Sequence, residues 1–149
     1  MENAGALAHQ AGISAALIAL TSFVHAVFIS TAAVFLRAEA RPAAGPFRFF
    51  RDAAALMFLS LWLVFAHAVE IGVWAECYKS LGLLASTEQA FYFAAVCFTT
   101  LGFGDVLLPE GWGLLAGANA ANGFLLSGLS AAFLVEATLK LRLTSTRHP

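Results

Sequence analysis

Thr99-Thr100-Leu101-Gly102-Phe103-Gly104-Asp105 lies between two long apolar segments of this 149-residue chain. Gly102 and Gly104 can take backbone angles closed to residues that carry a Cβ. Alternating such residues with ordinary ones can turn successive carbonyls to one side. A row of carbonyls, closed into a ring by symmetry, can replace the water around a small cation. Thr100 can add a hydroxyl oxygen at the inner end of that row. The residues just before the stretch, 87–98, suit a short helix that ends where it begins. Ser86 or Thr87 can cap that helix, and Gln89 stands three residues after Ser86, as in a capping box.

Working outward, the composition is that of a membrane protein. Hydrophobic residues make up 60% and charged residues 11% of the chain, and the mean hydropathy is +0.81. These values exclude a disordered chain and argue against a soluble domain. A net charge of −1 gives no electrostatic case for nucleic acid. The cysteines, Cys77 and Cys97, form neither a disulfide framework nor a metal motif. No nucleophile–base pair with a clear spacing is present, so no enzyme and no cofactor are expected.

Three segments are long and apolar enough to cross a bilayer core of about 30 Å. They are 11–36, 53–75 and 111–139. The first lacks the basic start and short apolar centre of a cleaved signal peptide, so it reads as a retained span. Residues 37–52 break the pattern with Arg37, Arg41, Arg48 and Arg51 among Pro42, Gly45 and Pro46. Phe47, Phe49 and Phe50 beside the arginines suit either an interfacial segment or a plain connecting loop. Residues 76–86 read as a polar connection. The helix at 87–98 is too short to cross and suits a re-entrant element, since non-helical backbone at membrane depth must be surrounded by protein or water. All Lys and Arg residues except Lys79 lie in 37–51 or in the C-terminal tail. Basic loops stay in the cytoplasm. This places the chain in the cell membrane with its N-terminus outside, the stretch 99–105 entering from outside, and its C-terminus cytoplasmic.

The stretch at 99–105 resembles the selectivity-filter signature of potassium channels, whose commonest form is Thr-Val-Gly-Tyr-Gly-Asp. Leu101 stands where Val is usual and Phe103 where Tyr is usual. Both keep an apolar side chain behind the filter, and Phe103 lacks the hydroxyl that can tie a filter to its surroundings. The resemblance extends over about 53–141, the pore unit of the small two-transmembrane bacterial channels. It implies an all-α membrane protein with three transmembrane helices, a re-entrant pore helix and a filter loop per subunit, assembled as a homotetramer in lipid. In that scheme 1–52 is an added helix with a basic connection, 53–142 is the pore domain and 143–149 is a short tail.

The same resemblance implies roles for individual residues. Carbonyls of Thr100, Leu101, Gly102 and Phe103, with Gly104 beside them, would hold potassium as the transported ion. Thr99 and Asp105 flank the filter, and Tyr92 stands where a pore-helix side chain often ties down that aspartate. Phe93 and Val96 would form an apolar cuff. The register puts Leu125, Gly128, Ala132 and Glu136 on the pore side of the last span. Gly123 and Gly128 are candidate hinges. The competing reading of the small residues is ordinary helix packing. That of Glu136 is a pair with Lys140.

Three ionisable residues interrupt the apolar spans, where such groups are costly and need partners. His25 and His67 fall at similar depth, with Glu70 one turn further out. They read as neutral histidines bonded to backbone or pore helix, or as a proton-sensitive latch between the first two helices. The first helix is apolar nearly all round and is expected to pack outside the pore against the second. No span carries arginines at every third residue, so no voltage sensor is indicated. A weakly selective cation channel and a non-conducting accessory subunit remain as alternatives to a potassium channel, and an accessory protein is left open.

Overall fold

The structure is a computed structural model that describes residues 2–39 and 48–143. Its elements are the helices α1 (Glu2–Glu39), α2 (Arg48–Ser80), α3 (Thr87–Phe98) and α4 (Gly113–Leu143). No strand occurs among the described residues. Three segments, Ala4–Arg37, Phe49–Ser80 and Gly113–Leu141, are long and apolar enough to cross a membrane. The chain is therefore a helical multi-pass membrane protein. Arg41, Pro42, Gly45, Pro46, Phe47 and Arg147 lie outside the described residues, as does nearly all of the expected tail.

The long helices exceed their apolar runs at both ends. α1 begins at Glu2, not near residue 11, because Glu, Ala, Leu and Gln favour helix whether or not they sit in lipid. Its polar start is also anchored, for the Gln10 side-chain amide donates to the Gly111 carbonyl. α2 begins at Arg48, so residues 48–52 belong to this helix and not to a loop, and the expected boundary at 52 falls inside it. An Arg51–Asp52 ion pair of 2.9 Å lies in its first turns. α2 also continues past 75 to Ser80, because Tyr78 is fully buried and holds the last turns in the core. It stops in a Schellman ending. Gly82 takes φ +68, its N–H bonds to the Lys79 carbonyl, and the Leu83 N–H reaches Tyr78 O at 3.0 Å.

α3 spans the expected residues. Ser86 is its N-cap and accepts from the Gln89 N–H at 3.1 Å. The Gln89 side chain reaches back to the Ala85 N–H and not to the cap's own. Thr87 instead accepts from the Lys79 ammonium at 2.6 Å.

α3 packs between α2 and α4, and α1 packs against both α2 and α4. α1 thus lies on α2, as expected, and on α4 as well. Gln10 meets Gly111, Thr21 meets Asn122 and His25 meets Ser130. These contacts make α1 and α4 run in the same direction, with α2 running against them. One apolar core gathers Trp74, Tyr78, Phe93, Phe98 and Leu126 around α3. A second, at the other end, joins Leu36, Leu59, Leu63, Phe133 and Leu141.

The expectation of a first helix without a polar face is also corrected. The buried residues of α1 fall on one stripe: Gln10, Ser14, Thr21, His25, Ala32 and Leu36. Its first four members are polar, while Leu20, Phe23, Val27 and Val34 are exposed. In lipid the apolar side chains gain nothing by turning inward, so the polar ones take the protein side.

Candidate functional site

α3 ends at Phe98, and Thr99 caps it by bonding its N–H to the Ala95 carbonyl at 3.0 Å. The Thr99 hydroxyl also turns back, to Ala95 O at 2.7 Å. The next N–H groups continue this pattern. Thr100 N–H bonds to Cys97 O at 2.8 Å, and Leu101 and Gly102 share Val96 O at 3.0 and 3.3 Å. The N–H groups of Thr99, Thr100, Leu101 and Gly102 are thus committed to the helix behind the stretch. Among the described residues, the carbonyls of Thr100, Leu101, Gly102 and Phe103 accept no hydrogen bond.

The backbone angles explain how this is achieved. Thr100, Gly102 and Gly104 take φ of +60, +57 and +77. Every second residue is therefore left-handed. Glycine does this freely, but a β-branched threonine does not, and such a conformation costs about 1–3 kcal/mol. The sequence pointed to the two glycines and gave no sign that Thr100 would share their conformation. Thr100 supplies the only positive φ outside glycine among the described residues.

Asp105 ends the stretch. The Tyr92 hydroxyl donates to its Oδ2 at 2.6 Å. That bond holds the Asp105 carboxyl below the usual carboxylate range, and the same carboxylate pushes the Tyr92 phenol up. Phe93 and Val96 are buried on the inner side of α3. Leu101 and Phe103, expected to pack behind the filter, are 60% and 67% exposed. Their own chain does not cover them. An apolar cleft of ≈ 310 Å³ opens beside Gly102 and Gly104, lined also by Phe93, Val96, Val106 and Ala116.

α4 presents two faces. Asn119, Asn122, Leu126, Ser130, Phe133, Ala137 and Leu141 are buried within the chain. Leu125, Gly128, Ala132 and Glu136 are all exposed. Glu136 forms the i, i+4 pair with Lys140 on this open face. The two hinge candidates separate sharply. A Cβ at Gly123 would lie 2.0 Å from the Phe98 carbonyl oxygen, whereas one at Gly128 would meet nothing within 4 Å. Gly123 is therefore a packing position that lets α4 touch the end of α3.

His25, His67 and Glu70 come together. Each Glu70 oxygen takes one imidazole, His25 Nδ1 on Oε1 and His67 Nδ1 on Oε2, both at 2.8 Å. The two rings stack with centroids 5.3 Å apart. Ser130 of α4, which the sequence reading did not single out, places its hydroxyl 3.0 Å from His67 Nε2 and 3.5 Å from His25 Nε2. The histidines thus bond to side chains of α2 and α4, and not to backbone or α3. The candidate ligand atoms of His25, His67 and Glu70 lie within 4.8 Å of one another, and the three side chains are joined to each other and to Ser130 by hydrogen bonds.

Other polar residues in the spans were also passed over. Asn119 donates to the Tyr78 hydroxyl at 3.1 Å and to Ala94 O at 3.2 Å, which ties α2, α3 and α4 together. Asn122 donates to the Thr21 hydroxyl at 2.6 Å. The rule that singled out the histidines applies to amides within an apolar span and would have found both. Cys77 and Cys97 are free thiols, and burial pushes the Cys97 thiol up.

Comparison with known proteins adds one finding. A family model described as "Ion channel" matches residues 56–140, more than half of the chain. No curated protein and no solved structure matches it. The matched segment begins in α2, contains α3 and the 99–105 stretch, and ends in α4. The chain therefore belongs to the ion channel family, and residues 56–140 are its pore domain of the two-transmembrane potassium-channel type.

Proposed function

We infer that four copies of this chain assemble around a fourfold axis as a potassium-selective channel. The observation that carries this reading is the backbone at 100–104. Alternate residues are left-handed, the N–H groups of Thr100, Leu101 and Gly102 are bonded to α3, and the carbonyls of Thr100, Leu101, Gly102 and Phe103 are uncommitted. Four such strands facing one another would replace the hydration shell of dehydrated potassium ions. The ions would move in line and leave because neighbours repel. No cofactor is needed, since the ion itself is the cargo.

The surroundings fit this role. α3 would be re-entrant, with its C-terminal, partly negative end aimed at the ion path. Exposed Leu101 and Phe103 would be covered by the neighbouring subunit, for which the apolar cleft beside Gly102 and Gly104 offers room. Asp105, held by Tyr92, would stand at the outer mouth. The exposed face of α4, with Leu125, Gly128, Ala132 and Glu136, would line the inner path, and α1 would lie outside the pore. By the distribution of Lys and Arg, the filter and the N-terminus face outward across a cell membrane.

Reversal potentials of the purified protein in lipid bilayers, measured in mixed potassium and sodium, test this reading. The expected potential follows the potassium gradient, and Gly102→Ala abolishes the current while the oligomer still forms. A potential indifferent to the choice of cation would replace this reading with a weakly selective channel. A protein that assembles but passes no ions by itself would be an accessory subunit.

A further inference from the structure

Buried hydrogen bonds leave a countable number of protons, and at the His25–Glu70–His67 cluster the count is informative. A Glu70 carboxylate that accepts from both Nδ1 atoms requires a proton on each of them. Both Nε2 atoms then face one hydroxyl, that of Ser130. A hydroxyl can donate to one Nε2 only. With both contacts made as hydrogen bonds, the shorter of 3.0 Å to His67 and the longer of 3.5 Å to His25, the other Nε2 carries a proton and donates to the Ser130 oxygen. All four groups are satisfied by one carboxylate, one imidazolium, one neutral imidazole and one hydroxyl, with a net charge of zero. Moving the proton from the ring to the Glu70 carboxyl leaves the total unchanged, and imidazole is the stronger base of the two.

Removing this proton would leave a net negative charge and an unpaired Nε2 among groups that are largely buried, Glu70 at 0%, His25 at 1% and the His67 side chain at 19% exposure. Adding another would place two cations on rings stacked 5.3 Å apart. A divalent metal in place of the proton would leave the site with a net charge of +1 in the same surroundings. The Ser130 hydroxyl is also oriented for the task. Thr21, Ser60 and Thr138 bond back to carbonyls of their own helices, whereas Ser130 bonds to the imidazoles alone among the described residues.

The neighbours bring no other charge to the cluster. α1 contributes His25 and α2 contributes His67 and Glu70. α3 presents the Phe98 ring, 5.6 Å from His67, and its nearest titratable groups are Cys97 and Tyr92. α4 presents Ser130, while its carboxylate Glu136 is paired with Lys140 on the exposed face.

A route to the cluster starts on the filter side. Gln10, Ser14, Thr21 and His25 occupy one stripe of α1, about 22 Å long at 1.5 Å per residue, beginning at the Gly111 carbonyl beyond the filter. Along it, Gln10 Oε1, Ser14 Oγ and Asn122 Oδ1 are buried without a protein partner among the described residues. Buried polar atoms of this kind take ordered water.

We propose that His25, His67 and Glu70, closed by Ser130, form a buried proton-binding site that holds one excess proton and exchanges it with the filter-side solution along the α1–α4 seam. The charge passes between rings when His25 Nε2 gives its proton to Ser130 Oγ as Ser130 gives its own to His67 Nε2, or the reverse. No proton is gained or lost in that step. Because the site joins α1, α2 and α4, and His67 touches Phe98 just before the filter, the proton fastens the added helix to the pore.

Nitrogen NMR of the full-length, histidine-labelled chain in lipid bilayers tests the site, with His25→Gln and His67→Gln assigning the two buried rings. The expected result at neutral pH is one imidazolium per chain shared by His25 and His67, lost in Glu70→Gln. Two neutral rings in the unmodified protein, or an unchanged imidazolium in Glu70→Gln, overturns it. Stoichiometric zinc binding that the same substitutions abolish, without an imidazolium signal, overturns it in favour of a metal site. Ser14→Ala with Asn122→Leu removes polar atoms from the seam and should slow hydrogen–deuterium exchange of the two rings by an order of magnitude or more. Unchanged exchange overturns the filter-side route. None of these readings requires current, so a protein that fails to conduct still tests the site.

Discussion

The stretch at 99–105 and the seam where α1 meets α2 and α4 are built in opposite ways. The first is contiguous in sequence and is made of backbone. Its N–H groups turn to carbonyls only a few residues earlier, and its left-handed positions alternate along one strand. The second is made of side chains far apart in sequence, with separations of 45 between His25 and Glu70 and 105 between His25 and Ser130. A local backbone device needs particular residues at particular neighbouring positions and so leaves a motif. A side-chain cluster needs only that several helices bring suitable groups to one depth, and it leaves scattered polar residues that look alike until the helices are packed.

The two regions meet at Gly123, where the sharpest break is expected. Its α-carbon faces the Phe98 carbonyl so closely that an added Cβ would lie 2.0 Å from the oxygen. Gly123→Ala must push α4 from the end of α3, a strain of about 1–3 kcal/mol, and displace the root of the filter. Potassium flux should be lost and the thermal midpoint in detergent lowered. Gly128→Ala, with open space around it, should leave the midpoint unchanged. Equal behaviour of the two variants would mean that the end of α3 is not held by α4.

A smaller effect is expected within the filter region itself. Tyr92→Phe removes the 2.6 Å bond to Asp105 while keeping the ring. Assembly and selectivity at the start of a recording should be retained, but current should decline several-fold faster as the outer end of the stretch loosens. An unchanged decline would show that the backbone bonds to Ala95, Val96 and Cys97 are sufficient to hold the filter.

The smallest effect belongs to Glu136, at the far end of α4 from both regions. It is exposed and paired with Lys140, so Glu136→Gln should not measurably change stability. If the exposed face lines the inner path, four carboxylates would concentrate cations there, and the variant should pass less outward current at low salt with selectivity intact. Outward current unaffected at low ionic strength would leave only the surface pair.

Several features were legible without the fold. The apolar runs gave the three long helices, Ser86 and Gln89 gave the start of α3, and the glycine alternation pointed to the candidate site. The ends of the long helices were misjudged because hydropathy reports where lipid is, whereas helix propensity and anchoring decide where the helix stops. The exposure of Leu101 and Phe103 was missed because apolar character does not tell which neighbours a side chain has within its own chain.

By itself the sequence determined the apolar helices, the place where one chain turns its carbonyls free, and the family to which that turn belongs. These follow from lipid, which forces long apolar segments to satisfy their own hydrogen bonds, and from glycine, whose freedom is fixed by its own covalent structure. Tertiary structure alone decided that Gly123 would press on Phe98, and that His25, His67, Glu70 and Ser130 would become one hydrogen-bonded set. Each of these depends on where a second helix lies, and in lipid hydrophobicity does not specify which face of a helix turns toward its neighbour.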